Sequence, residues 1–220
     1  MKKPVVDFRT FRFSRINEPQ FSHLKYWLIW VVYFILYFLT ENLIPQEACH
    51  PIHCALDDMI PFCEWFLIPY TFWYLLVFLS LLYFMFYDPD AFKKLSTYIF
   101  ITQMVAMAVY ILYPSRQDLR PVVFERDNIL TRIMAFIYAF DTNTGVLPSL
   151  HVAYSLGIAS VWIKRKETPL WWKVLLVFLV ILISAATTFV KQHSALDVFA
   201  ALPLGVLAEI LTFKVFFKKS

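Results

Sequence analysis

His193 and Asp197 stand four residues apart, so on a helix they share one face. A carboxylate in that position accepts a proton from one ring nitrogen. It fixes the tautomer and leaves the other nitrogen free as a nucleophile. A second histidine, His151, follows Pro148, Ser149 and Leu150 at what reads as the start of a helix, with Ser149 as its N-cap. Free backbone N–H groups and the helix dipole attract anions there. Arg120 adds a permanent, forked cation matched to phosphate oxygens. Lys191, two residues before His193, is a second candidate cation. An anion site with two histidines has one to attack and one to protonate the leaving oxygen. The chemistry that results is phosphoryl transfer through a phosphohistidine, with no metal and no cofactor.

These residues sit in a chain built for a bilayer. Of 220 residues, 60% are hydrophobic and 19% aromatic, and the mean hydropathy is +0.62. A soluble domain is usually about 45–50% apolar, whereas a membrane span needs about 20 predominantly apolar residues. Apolar runs near 27–44, 66–87, 97–113, 149–163, 171–190 and 196–217 predict an all-α polytopic protein with six transmembrane helices. Residues 1–25 form a basic N-terminal arm, with Phe8, Phe11, Phe13 and Phe21 interleaved, that either lies on anionic headgroups or only fixes topology. Residues 26–220 form one membrane domain. The first run reads as an uncleaved span, because no small-residue cleavage site follows it.

Under six spans, fifteen of the twenty lysines and arginines fall on one side, which predicts both termini in the cytoplasm. The other five, Arg116, Arg120, Arg126, Arg132 and Lys191, fall on the outer side with the histidines. Polar, ionisable residues at such positions are functional candidates by default. The long loop 114–148 on that side carries a stretch, 128–140, whose apolar residues follow helical spacing, and it predicts a short interfacial helix. Cys49, Cys54 and Cys63 lie in the first outer loop beside His50 and His53. Their spacing matches no standard zinc pattern and predicts an ordinary external loop, with or without a disulfide. With only three glycines, the chain has no Gly-rich phosphate loop. Nothing points to nucleic acid. The absence of any targeting signal beyond the spans, in so short a chain, points to a bacterial plasma membrane.

The order Arg120–Pro121, then Pro148-Ser149-Leu150-His151, then His193-x-x-x-Asp197 resembles the type-2 phosphatidic acid phosphatase superfamily, whose signatures are K-x6-RP, PSGH and SR-x5-H-x-x-x-D. The resemblance covers roughly residues 113–201. It implies His193 as nucleophile, Asp197 as its orienting partner and His151 as the acid for the leaving group. Arg120 and the Ser149 region would then hold the phosphate. Four positions depart from the pattern. The family's first Lys falls on Tyr113, with Arg116 the nearest substitute. Its Ser-Arg pair falls on Ala186 and Thr187, with Lys191 a possible replacement. Leu150 stands at the Gly of PSGH. These variants resemble the inositol-phosphorylceramide and sphingomyelin synthase branch, which moves phospho-headgroups between lipids.

The leading expectation is therefore a metal-independent membrane lipid phosphatase acting on a phosphatidic acid or prenyl (pyro)phosphate, with its site on the outer face. Headgroup transfer between lipids is the alternative. A reading of another class is a non-catalytic lipid-phosphate transporter or scaffold. Transporters favour Gly- or Pro-broken helices at mid-membrane, whereas the polar residues here gather at one surface.

Overall fold

The computed structural model describes residues 4–218, so Lys2 and Lys3 of the basic arm and Lys219 of the tail lie outside the described residues. The described chain is mostly helical. Its α-helices are α1 Leu28–Leu43, α2 Ala55–Met59, α3 Leu67–Tyr87, α4 Pro89–Leu112, α5 Ile129–Phe140, α6 Leu150–Lys164, α7 Leu170–Phe189 and α8 Ala195–Ile210. Short 3₁₀ turns extend α1 back to Ser22 and α3 back to Glu64, and a π-helical turn carries α8 on to Phe216. Five of these rods are long and apolar enough to cross a membrane: Ser22–Leu43, Glu64–Tyr87, Pro89–Leu112, Leu170–Phe189 and Ala195–Phe216. The protein is a polytopic helical membrane protein.

A helix occupies every one of the six expected runs, with one difference. The third begins at Pro89 rather than near residue 97. The charged PDAFKK stretch reads as a loop, yet Asp88 caps the helix by accepting from the Ala91 N–H, and Pro89 takes the first helical position. Lys94 pairs with Asp90 one turn away at 2.5 Å, so the charges ride on the helix end. The turn between α3 and α4 is then Asp88 alone. α6 is as short as its apolar run, 15 residues against 20 in α7. At 1.5 Å per residue it is about 7 Å shorter.

The short helix is the central one. α6 packs on α3, α4, α7 and α8, and Val152, Ala153, Ile158 and the N-cap Ser149 are fully buried. No residue of α1 is buried; it leans on α4 from outside. Helices in lipid gain little from hydrophobic exclusion, so they associate by close packing at small residues. Gly157 of α6 meets the ring of Tyr98 of α4, whose hydroxyl donates to the Gly205 carbonyl of α8 at 2.9 Å. One tyrosine thereby joins three helices.

At the end of the bundle that carries His151 and His193, the loops are stitched into a cap. Residues His50–Pro51 and Ser115–Arg116 form a two-residue parallel ladder, with His50 N–H donating to the Pro114 carbonyl and Ile52 N–H to the Arg116 carbonyl, both at 2.8 Å. The Gly145 N–H reaches the Ser115 carbonyl at 2.8 Å, from a backbone φ of +59° that glycine adopts freely. α5 starts one residue after Asn128, whose side chain accepts from the N–H groups of Leu130 and Thr131. Met134 is buried against Leu67, Tyr70, Ala186 and Val190, while Phe136 and Phe140 face outward. At the opposite end the N-terminal arm is not a loose tail. Val5 N–H donates to the Phe86 carbonyl at 3.0 Å, and the Phe8 ring packs on Phe86.

A Cβ added at Gly157 would sit 2.4 Å from Cδ1 of Tyr98. Gly157→Ala should therefore cost about 1–3 kcal/mol through overpacking and lower the midpoint of thermal unfolding in detergent by several degrees. An unchanged midpoint would show that Tyr98 moves aside freely and does not fix the α4–α6 approach.

Candidate active site

His193 lies in the turn between α7 and α8, just before the N-cap of α8. The i, i+4 spacing brings its Nδ1 to 3.1 Å from Oδ2 of Asp197, whose carboxylate is fully buried. A carboxylate only accepts, so Nδ1 carries the proton and Nε2 is the nitrogen left for the cavity. Asp197 Oδ2 also accepts from the Ser194 N–H at 2.9 Å, which closes a capping box at the start of α8. The dyad is thus locked into the helix terminus itself.

His151 is the second residue of α6. Its ring lies across from Tyr70 at 4.9 Å and from Trp73 at 4.2 Å between centroids. Its neighbour on the third side is His193, at 5.5 Å and 70°. Nε2 of His151 has no hydrogen-bond partner within the protein. The turn that delivers it is held from three directions. Tyr110 of α4 donates to the Pro148 carbonyl at 2.8 Å, Leu147 N–H donates to Ser115 Oγ at 3.1 Å, and Ser149 N–H donates to the Asp197 carbonyl at 3.1 Å. The last contact couples the first turn of α6 to that of α8. Ser149 occupies the N-cap as expected, but its hydroxyl makes no cap bond.

Both histidines line one cavity of about 630 Å³. It runs from Asp141, Thr142 and Gln192 at the capped end down a seam between α1 and α3, reaching Trp27, Val31, Phe78 and Leu81. Its size falls in the range of roughly 300–1,000 Å³ typical of small-molecule sites.

The expected phosphate-binding cations are placed differently. Arg120 is at the rim, where it donates to the carbonyls of Tyr138, Asp141 and Thr142 and to Gln192 Oε1 at 2.6–3.1 Å, with its guanidinium over the Tyr138 ring. The structure does not bring Lys191, Arg116 or Ser149 to the cavity wall. Lys191 Nζ turns away to the carbonyls of Asp57 and Ile60. It does so from a left-handed backbone, φ +53°. Arg116 is held by Asp118 and by the carbonyls of Gln46 and Cys49. Tyr113 stacks on His50 instead of facing the site. Cys49, Cys54 and Cys63 are free thiols.

Two acidic residues that the sequence did not single out belong to this region. Asp141 follows α5 directly and lines the cavity. Asp57 of α2 is buried and reaches the start of α8, accepting from Ser194 Oγ at 2.6 Å, Ala195 N–H at 2.8 Å and Cys54 N–H at 2.8 Å. A capping pattern, Cys54 followed three residues later by Asp57, was present in the sequence. The second cap, on a helix more than a hundred residues away, has no local signal. Glu41, at the end of α1, accepts from the hydroxyls of Thr142 and Thr144.

Burial alone would raise the carboxyl of Asp57, but the hydrogen bonds from Ser194, Ala195 and Cys54 outweigh it and hold the group below its ordinary value. A depressed folded-state pKa adds stability above the unfolded value of about 3.9 and loses it as pH falls through the lower folded value. The junction between α2 and α8 should therefore loosen only below about pH 4. Asp57→Ala should loosen it at neutral pH, at a cost of about 1–3 kcal/mol for each donor left unpaired. Hydrogen exchange of the amides around 190–197, measured against pH, checks both. Wild-type protection that fails well above pH 4, or an unaltered Asp57→Ala, would contradict this account.

No protein-family model and no curated protein matches the chain. Among solved structures, the chain is similar to the crystal structure of Aquifex aeolicus LpxE, at 18% sequence identity and a TM-score of 0.47, over 82% of this chain and 93% of that one.

Proposed function

We propose that the protein is a membrane lipid phosphatase or phosphotransferase of the type-2 phosphatidic acid phosphatase kind, working through a phosphohistidine without a metal. The observation that carries this reading is the pairing of His193 with Asp197 directly opposite His151 in one cavity. Nε2 of His193 attacks phosphorus and forms the P–N bond as the P–O bond to the leaving group breaks. Asp197 stabilises the resulting imidazolium through Nδ1–H. His151 gives its proton to the departing oxygen. Water then attacks phosphorus on the far side from His193 and loses its proton to His151. The P–N bond breaks, its electron pair returns to Nε2 of His193, and the phosphate leaves.

The rings of Trp73 and Tyr70 flank His151 and fix its orientation toward His193. A phosphate bound beside His151 favours its protonated form, since an adjacent negative charge stabilises an imidazolium. The first-turn N–H groups of α6 supply dipole and donors where the phosphate would lie. The seam between α1 and α3 suits a hydrocarbon chain entering sideways from the bilayer. The concentration of basic residues at the other end supports a site on the outer face of the membrane.

Headgroup transfer uses the same first step, with a lipid hydroxyl in place of water in the second. What favours keeping it is that the cavity wall carries the carboxylate of Asp141 and, among the described residues, no lysine or arginine.

The test is phosphate release by the purified protein in EDTA, from phosphatidic acid and from a polyprenyl pyrophosphate. Release should persist in EDTA, fall with vanadate and vanish in His193→Ala. Asp197→Asn should lower kcat roughly 10²–10⁴-fold with a much smaller change in KM, since the tautomer is lost while the binding site remains. Strict dependence on Mg²⁺, or full activity in His193→Ala, would defeat the mechanism. If no single lipid releases phosphate but a second, hydroxyl-bearing lipid restores turnover, transfer replaces hydrolysis.

A further inference from the structure

Below the histidines the cavity continues as an apolar trough, and the trough has a floor. Its two walls run antiparallel. On the α1 side the lining descends from Tyr37 to Trp27, and on the α3 side from Tyr70 to Leu81. Trp27 is held in place at the bottom. Its Nε1 donates to Met85 Sδ at 3.4 Å, and its ring lies 5.8 Å from that of Phe92. Leu81 is buried. The N-terminal arm backs this floor. His23 is fully buried, donates from Nε2 to the Met85 carbonyl at 3.2 Å and packs its ring 5.6 Å from Phe92. The Phe8 ring closes on both His23 and Phe86.

The sides of the trough differ from its floor. Val31, Phe34 and Phe78 line it and are exposed, so a chain can enter sideways between α1 and α3. Its depth follows from helix geometry. Tyr70 and Trp73 lie against the His151 ring. At 1.5 Å per residue, Leu81 is about 12 Å below Trp73 and about 16 Å below Tyr70. An extended chain advances roughly 1.2 Å per bond, so roughly 10–13 bonds span that depth. In a bilayer, leaving the lipid for an apolar groove gains little by itself. Length is read by packing instead. A short chain leaves a void whose lining loses its dispersion contacts. A long chain must overpack the floor or bend out through the seam.

Resting on the proposed lipid-phosphate chemistry of the same cavity, we infer that the trough measures its substrate. One hydrocarbon chain runs from the phosphate at His193 to Trp27 and Leu81, and the site selects esters whose chain ends roughly 10–13 bonds from phosphorus. Trp27 is the specificity-determining residue. The N-terminal arm takes part as well, because the residues packed around Met85 and Phe92 keep the indole from yielding to a longer chain.

The test is binding, and it does not need turnover. The full chain carrying His193→Ala is titrated with a series of n-alkyl phosphates, from hexyl to octadecyl. A steroid-based detergent is used, so that no detergent alkyl chain competes for the trough. The midpoint of thermal unfolding reports occupancy, since a ligand of the folded state raises it. At equal mole fraction the rise should peak at about 9–12 carbons and decline by hexadecyl phosphate. Adding Trp27→Ala should move the peak to longer chains and raise the affinity for hexadecyl relative to decyl phosphate roughly tenfold. Adding Val31→Trp puts an indole on the exposed seam one turn nearer the histidines, and should move the peak shorter by about five carbons. Because Val31 is exposed, this second variant keeps its fold even if Trp27→Ala does not. A rise that climbs to octadecyl without a maximum, no rise at any length, or a maximum that Val31→Trp leaves in place would overturn the inference. A peak that moves as expected, with no phosphoryl chemistry in the assays above, would sink the proposed function and leave the trough standing. Phosphate release at equal rates from every chain length would do the reverse.

Discussion

Asp57 is buried where two loops and a helix terminus meet, and the geometry of the histidine end depends on it. In an apolar bundle a free N–H or hydroxyl has no water to turn to, and leaving it bare costs several kcal/mol. The first turn of α8 exposes such groups, and Asp57 satisfies the hydroxyl of Ser194 and the N–H of Ala195 from 137 and 138 positions earlier in the chain. Lys191 returns the contact by capping carbonyls of α2 at Asp57 and Ile60. Neither segment can shift without uncovering polar groups on the other. Because Ser194 is also the residue whose N–H binds Asp197, the clamp is transmitted to the dyad in one step. His193 is held rigid by a hydrogen-bonded lattice that lies mostly outside the cavity.

The other end of the cavity obeys a different rule. α1 buries no residue and touches the bundle mainly through α4, so the seam it leaves against α3 is lined by large apolar side chains that face each other across a gap. A soluble protein would close such a gap to remove apolar surface from water. In a bilayer the driving force is absent, because lipid chains are as apolar as leucine, and the gap persists at little cost. The polar end is tight because of hydrogen bonding, and the apolar end is open because nothing forces it shut. That asymmetry suits a molecule with a fixed headgroup and a mobile chain.

Much of this was legible in the sequence where the signal is local. His193 and Asp197 meet as the four-residue spacing suggests, although His193 precedes the N-cap of α8 and the contact runs through the capping turn rather than along a helix face. The periodic apolar residues of 128–140 locate α5 to within a residue, and Asn128 caps its start. The charge of 89–94 hides the start of α4, although Asp88 followed by Pro89 is itself a helix-start signal. Asp57 and Asp141 were passed over because nothing near them in the chain marks their partners. Their importance comes from contacts with residues about 50 to 140 positions away. Lys191 and Arg116 show the converse error. A basic residue beside a motif looks available, yet its side chain can be spent on a carbonyl, and only the fold decides.

The same point governs the electrostatics of the site. The five basic residues at this end are all committed to architecture. Arg126 pairs with Glu64 and Arg132 with Asp127, Arg116 binds Asp118, and Arg120 and Lys191 bind carbonyls. A count of charges would call this surface cationic, but among the described residues the cavity wall itself carries the Asp141 carboxylate and the imidazoles of His151 and His193, next to the N-termini of α6 and α8. Such a site offers a phosphate helix-terminal N–H donors and two imidazoles to orient it. The architecture that consumes the arginines leaves the charge balance of the cavity to those groups and to Asp141.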